Sequence, residues 1–469
     1  MNGTTPGRMP DEGPGEVVDE VPVDLRTARV YAEGWQSWSP ATWYPVNTTG
    51  LEPGEDWQHT MVFRPGTPVA AVGVQAEGLL VVDPGTGEPA RCYGAVDPRS
   101  VPTLRTVLDH DRMVVRASGE VRETADPGGG EAALTAYAEW FVGRVGATAP
   151  VAPPTVWCSW YRYFEQISSA DVEENLRALD ANDLPVDVVQ VDDGWSPGLG
   201  EGLRPADGFG SLPALVDTIR ASGRRAGLWL APFLVGTQTA LATEHPDWLV
   251  GSAGHNWGQD LAGLDLTHPG VREMLSDALR WLVNLGVSYL KLDFLYGGAV
   301  PGRRHEDVTG TEAYRSGLAL VREAVGPDVY LVGCGAPLLP SVGLVDAMRI
   351  SPDTFHEGGE DGSTGLRGLM PLAARAWQQG RFWVNDPDCL VARPSYSERE
   401  RWAGAVLSYG GLPSFSDRVA ELDAWGLLTV RDLLSNSGGA TPFPLERLRA
   451  GARLAGRELA QLGGDGDAT

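Results

Sequence analysis

VSYLKLDF (287–294) is apolar at nearly every position and carries two charges, Lys291 and Asp293, at its end. Strand side chains alternate, so Lys291 and Asp293 share one face while Leu290, Leu292 and Phe294 take the other. A strand apolar on both faces suits a parallel sheet covered by helices. The form recurs before it, in TVWCSWY (155–161), VDVVQVDD (186–193) and AGLWLAPF (226–233), and after it, in VYLVGCG (329–335), AMRISPD (347–353), FWVNDPD (382–388) and LPSFSD (412–417). Helical stretches lie between them: SADVEENLRALDAND (169–183), with Ser169 as its expected N-cap, and segments near 212–222 and 269–285. A long excursion separates the third strand from the third helix. Eight such units predict a closed (β/α)8 TIM barrel over residues 148–440.

Outward from the barrel the rhythm changes. Residues 21–147 hold short alternating runs broken by turns, such as DRMVVRASGEVRET, and predict an antiparallel β-sandwich. The proline-rich VGATAPVAPP (145–154) marks the junction. Residues 1–20, rich in Pro, Gly and acids, are expected to be a disordered acidic tail. Residues 441–469 predict a short helical C-terminal tail.

Composition excludes several functions. A net charge of −25 without basic runs argues against nucleic acid and anionic membranes as partners. No apolar run has the length of a membrane helix, and the first residues lack the apolar core of a secretion signal, so a cytoplasmic protein is expected. Cys92, Cys158, Cys334 and Cys389 show neither metal-ribbon spacing nor a disulfide framework. The pattern carries no signal for oligomeric state.

The chemistry concentrates at strand ends. Asp192 and Asp193, Asp293, Asp353, Asp386 and Asp388, and Asp417 close five of the eight strands. Barrel enzymes place their sites at this end of the barrel. A lone aspartate there is often a helix cap, but five strands form a ring suited to polyol binding, metal binding or acid/base work. Lys291 is the only lysine, and the remaining 36 of the 37 basic residues are arginine. A compact ammonium two residues before Asp293 favours the carboxylate form, as a nucleophile requires. Asp353 offers a second carboxyl across the mouth. Glycosidases use two such groups, and spacing alone does not choose Asp353 over Asp388 or Asp192.

WCSWYRYF (157–164), VQVDDGW (189–195), GLWLAPF (227–233), EHPDWLV (244–250), LKLDFLYGGAVPG (290–302), GCGAPLLPSVGLVDAMRISPDT (333–354) and RFWVNDPDCLVAR (381–393) stand in an order that resembles glycoside hydrolase family 36, the α-galactosidases. The resemblance implies a retaining exo-α-galactosidase acting on oligosaccharides with terminal α-galactose, needing no cofactor and no metal. It assigns Asp293 as nucleophile and Asp353 as acid/base. It gives Asp192, Asp193 and Lys291 to the sugar, and Arg349, Cys334, Trp229, Trp160 and Tyr161 to the pocket. Trp35, in EGWQSWSP (33–40), is the residue the N-terminal domain is expected to lend. Asp388 is expected to order the loop after the seventh strand. Cys158, Cys389, Trp157, Trp383 and Trp402 are expected to be packing residues, with His245 and His356 structural. The resemblance implies a C-terminal antiparallel domain in close relatives, whereas here only the short helical tail is expected after the barrel. Competing readings are an α-N-acetylgalactosaminidase or galactosyl-transferring relative, a Schiff-base aldolase using Lys291, a metal-dependent hydrolase, and a non-catalytic sugar binder.

Overall fold

A computed structural model describes residues 15–48, 56–199, 206, 209–256, 258–355, 361, 366–436 and 439–464. His356 lies outside these residues. No helix among them is long and apolar enough to cross a membrane.

The N-terminal part is a sandwich of two antiparallel sheets. One runs Glu16–Pro22, Arg112–Ala117, Thr103–Asp109, Val74–Glu77, and the other Thr42–Pro45, Arg29–Ala32, Leu79–Asp83, Ala90–Ala95, Val121–Asp126. Alternation explains the layering. Val30, Leu80 and Val82 face the partner sheet, where Val74, Leu104 and Val115 meet them. Tyr31, Val81 and Cys92 face the opposite way, onto the helix Gly130–Val145. The disordered tail expected over 1–20 needs correction, because Glu16 already pairs with Ala117. Valine alternation in EVVDEVP and an open edge to pair with outweigh the acidic composition there. Residues 1–14 lie outside the described range.

Eight parallel strands follow: Val156–Cys158 (β1), Val188–Val191 (β2), Arg225–Leu230 (β3), Val287–Leu292 (β4), Tyr330–Gly333 (β5), Ala347–Arg349 (β6), Val384–Asp386 (β7) and Ser414–Phe415 (β8). β8 pairs with β1, and Leu412 N–H donates to Asn385 O at 2.9 Å between β8 and β7, closing the ring. The interior is filled by Val156, Val188, Tyr289, Val332, Ala347 and Val384. Gly227 makes room for this layer: a Cβ there would stand 3.0 Å from both Tyr289 and Val188. Leu290 and Leu292 face the helices.

Three local expectations change. Phe294 does not continue the outward face, because its φ of 50° breaks the strand and turns its ring to Trp38 and Trp229 at the barrel mouth. The N-cap of the first barrel helix is Ser168, which forms a capping box with Asp171, one residue before the expected Ser169. The excursion after β3 is a sheet of Leu234–Gly236, Gln259–Leu264 and Leu249–Asn256, packed on the N-terminal helix Asp56–Val62. The C-terminal helix Leu445–Gly464 buries Leu448, Ala452 and Ala455, packing against both the helix Leu369–Ala374 and the sandwich strand Thr42–Pro45.

Candidate active site

Asp293 sits one residue past β4, where the strand breaks. The left-handed backbone of Phe294 aims its N–H at Asp293 Oδ1, 2.8 Å away. Such a φ is strained for a bulky residue, at a cost on the order of 1–3 kcal/mol, so the surrounding packing must enforce it. The Trp229 indole on β3 donates to Asp293 Oδ2 at 3.0 Å. Both oxygens are thereby oriented in a side chain 9% exposed.

Lys291 faces the same interior, as alternation requires. Its Nζ lies 2.9 Å from Asp192 Oδ2 and 4.0 Å from Asp293 Oδ2, so its direct partner is Asp192 rather than the expected Asp293. Burial alone would push this ammonium toward losing its proton. Asp192 and Asp293 more than reverse that and hold it well above its usual range. A cation so held differs from the free amine that imine chemistry needs, and this speaks against the aldolase reading.

Asp192 and Asp193, at the end of β2, have separate environments. Burial would raise Asp192, but Lys291 and the Gln190 amide, 2.7 Å from Oδ2, hold it below its ordinary value. The Cys158 thiol donates to the same oxygen at 3.4 Å. Asp193 is pushed up to about 7, by burial first, with the charges of Asp192, Glu165 and Asp293 adding to it against the Gly194 N–H. Its folded pKa therefore lies above the unfolded value, and stability falls as pH rises from about 4 to about 7. Above that window ionised Asp193 costs at most about 4 kcal/mol. Asp193→Asn is expected to melt several degrees above the parent protein at pH 8 and level with it near pH 4. An identical difference at both pH values would refute this account.

Asp353 follows β6. Arg349 Nη1 contacts its Oδ1 at 3.0 Å, and its side chain is 34% exposed, against 0% for Asp388 and 2% for Asp192. This separates the three acids that spacing could not. Asp388 is enclosed by Arg349 Nη2 at 2.7 Å, the Tyr161 hydroxyl, and the N–H and hydroxyl of Thr354. It positions Arg349 and the start of the loop after β6, which is not an expected role, while its contact in the expected loop after β7 is the N–H of Cys389 on Oδ1 at 2.7 Å. Of these three, Asp353 is the one open to solvent. Asp386 holds Arg349 Nε at 3.3 Å, and Asp417 holds Arg393 and the N–H of Ala392.

The remaining expectations divide. Trp229 is in place. Cys334, fully buried after β5, is pushed up by burial and then by Asp293, so it stays a thiol. Tyr161, expected as a wall, stands behind the wall with its hydroxyl on Asp388 and its ring 4.7 Å from Phe355. Trp160 is partly exposed after β1, edge-on to Phe164 at 5.1 Å. Trp35 is a correction: its ring is buried under the Arg64 guanidinium, 4.6 Å away, in the core that the sandwich shares with the barrel. Trp38 reaches the barrel instead, edge-on to Phe294 at 5.1 Å and to Tyr296 at 6.0 Å. The reason is a turn, in which Trp38 N–H donates to Gln36 Oε1 at 2.7 Å and reverses the chain. Gly335 is required beneath the ring, since its φ is +52° and a Cβ would lie 2.9 Å from Trp38. Trp157, Trp383 and Trp402 are fully buried packing residues, and His245 stacks on Trp248 at 3.9 Å. Cys389 is buried as expected, whereas Cys158 packs under the site as a donor to Asp192.

Comparison with known proteins bears on this arrangement. The family model described as Melibiase matches residues 155–322, which span β1 to β4 and hold Asp192, Asp193, Lys291 and Asp293. The match is confined to this part of the barrel and marks a likeness to that family. A probable α-galactosidase C of Aspergillus flavus is 28% identical over 177 residues, which is 33% of this chain and 23% of that protein. The bifunctional α-galactosidase/sucrose kinase AgaSK of Mediterraneibacter gnavus is 25% identical over 174 residues, 34% of this chain and 18% of that one. The matched stretch thus spans about a quarter or less of these curated relatives. The solved α-galactosidase TtGalA of Thermus thermophilus, in complex with p-nitrophenyl α-D-galactopyranoside, superposes with a TM-score of 0.72 at 27% identity over 90% of this chain and 92% of that one. The family 36 α-galactosidase AgaA of Geobacillus stearothermophilus shares the fold, with a TM-score of 0.59 at 13% identity over 89% of this chain and 61% of that one.

The site also contains residues that the motifs did not single out. Gln190 and Trp195 hold Asp192 and the Trp229 carbonyl respectively, the latter at 3.0 Å. Both lie inside VQVDDGW, so alternation along β2 could have found Gln190.

Proposed function

We propose that this chain is a melibiase-family enzyme, a retaining exo-α-galactosidase that removes terminal α-linked galactose from oligosaccharides. The observation that carries the reading is the asymmetry of two carboxyls at one barrel mouth. Asp293 is recessed, held by two N–H donors and faced by an ammonium, while Asp353 is a third exposed and oriented by Arg349. A nucleophile needs the first setting and a general acid the second. In this reading an Asp293 oxygen bonds to the anomeric carbon as the bond to the leaving oxygen breaks, and Asp353 gives its proton to that oxygen. Water then attacks the anomeric carbon, its proton passes to Asp353, and the bond to Asp293 breaks. Asp192, Asp193 and Lys291 supply one donor and two acceptors for sugar hydroxyls at the pocket floor. The TtGalA complexes with a p-nitrophenyl galactoside and with stachyose support a small galactoside as substrate. The strand-end acids are tied up by Arg349, Arg393, Lys291 and backbone N–H groups, and the described residues contain no cluster arranged for a metal ion.

A panel of p-nitrophenyl α-glycosides tests the assignment. Rapid release is expected from the α-galactoside, with the α-N-acetylgalactosaminide and α-xyloside at least about tenfold slower in kcat/KM. Release from either of those at an equal or greater rate would overturn the galactose assignment.

A further inference from the structure

Arg375 lies just after the helix Leu369–Ala374 and is fully buried. A guanidinium has five N–H donors, and this one has five acceptors. Nε meets Glu33 Oε1 at 2.8 Å; Nη1 meets the carbonyls of Ser37 at 2.8 Å and Ile350 at 2.9 Å; Nη2 meets those of Ser39 at 2.9 Å and Gln36 at 3.4 Å. Glu33 is equally occupied, by the Gly34 N–H, the Tyr31 hydroxyl and the Gln378 amide. An ion pair at 0% and 1% exposure is a weak source of stability by itself, because desolvation offsets the attraction.

Its acceptors suggest a different purpose. Three are carbonyls of the 36–39 turn, which carries Trp38 to the barrel mouth. The fourth is Ile350, three residues before Asp353 and itself tied to β7 through its N–H to Asp386 O at 3.0 Å. The same turn is pinned to the end of β5, where Ser37 N–H donates to Ala336 O and Ala336 N–H donates to Ser37 Oγ. One side chain thus connects the sandwich turn, the β6 exit and the aromatic wall beside Asp293. We propose that Arg375 is a positioning residue: it sets the β6 exit so that Asp353 meets the leaving-group oxygen, and it does so against the sandwich. The inference rests on the acid/base role of Asp353 proposed above.

General acid catalysis matters for poor leaving groups and little for good ones. Misplacing Asp353 should therefore act selectively, whereas loosened packing should slow all substrates alike. The test compares kcat/KM for a 2,4-dinitrophenyl and a methyl α-galactoside in the parent protein, in Arg375→Lys, and in the Glu33→Gln/Arg375→Gln pair, which leaves no buried charge unpaired. Both variants are expected to lose about tenfold or more on the methyl glycoside and under about threefold on the dinitrophenyl one. Equal losses on both, or no loss on either, in a variant that still folds by circular dichroism would overturn the proposal. If both variants are unfolded, the residue is structural and the proposal also fails. If the parent protein cleaves neither substrate, the α-galactosidase reading itself fails and takes this one with it.

Discussion

Asp293→Gly is expected to lose turnover on p-nitrophenyl α-galactoside by a factor on the order of 10⁴ or more, and azide is expected to restore part of it. No neighbouring group can replace the lost carboxylate. Asp192 is committed to Lys291 and Gln190, and Asp193 is held by the Gly194 N–H. Glycine leaves a space under the β face of the anomeric carbon, flanked by the Trp229 indole and the Phe294 N–H that held the carboxylate. A small anion can occupy that space and attack in its place. The product should be β-galactosyl azide, with the configuration identifiable by proton NMR. Restored activity that yields the α-azide would mean that a galactosyl-enzyme still forms without Asp293, which would make Asp293 the acid/base rather than the nucleophile, and an absence of rescue by azide and formate would remove Asp293 as nucleophile.

Lys291→Arg should be nearly as damaging although it keeps the charge. The ammonium is 8% exposed and bridges two carboxylates on different strands, 2.9 Å from one and 4.0 Å from the other. A guanidinium is wider and planar, so it must either displace Asp192 or push into the space for the sugar. A displacement near 1 Å at a reacting centre costs about 100-fold, and a loss in kcat/KM of that size is expected. Since Asp192 and Lys291 both contact the sugar in this reading, KM should rise as well as kcat fall. Wild-type kinetics in Lys291→Arg would mean that any cation suffices there, and that the single lysine of the chain has no chemical reason.

What the sequence reveals about this site follows from the range of the forces involved. Alternation in VSYLKLDF places Lys291 and Asp293 inside the barrel because strand geometry is local. The succession of apolar strands defines the barrel because burial on both faces constrains composition. Pairing is different. That Lys291 prefers Asp192 depends on the β2–β3–β4 register, and that Phe294 turns inward depends on a backbone angle no propensity favours. Trp35 and Trp38 have the same residue type within one short turn, and only the fold of Gln36 against Trp38 N–H decides which reaches the mouth. Arg375 gives no local sign, since PLAARAW reads as an ordinary helix end and four of its five partners lie more than 300 residues earlier. Residues 16–20 show the reverse error, where composition hid a short alternating strand.

The Arg375–Glu33 contact is part of something broader. The hydrophobic core is continuous from Tyr31, Val81 and Cys92 of the sandwich, through Tyr137 and Phe141, to Phe382, Trp377 and the outer face of the barrel. The proline-rich stretch at 145–154 is a hinge only in covalent terms. Energetically the sandwich and the barrel share one interior, with a charge pair sealed at its centre. Neither half retains a complete interior without the other, so the sandwich is to this barrel what a keystone is to an arch.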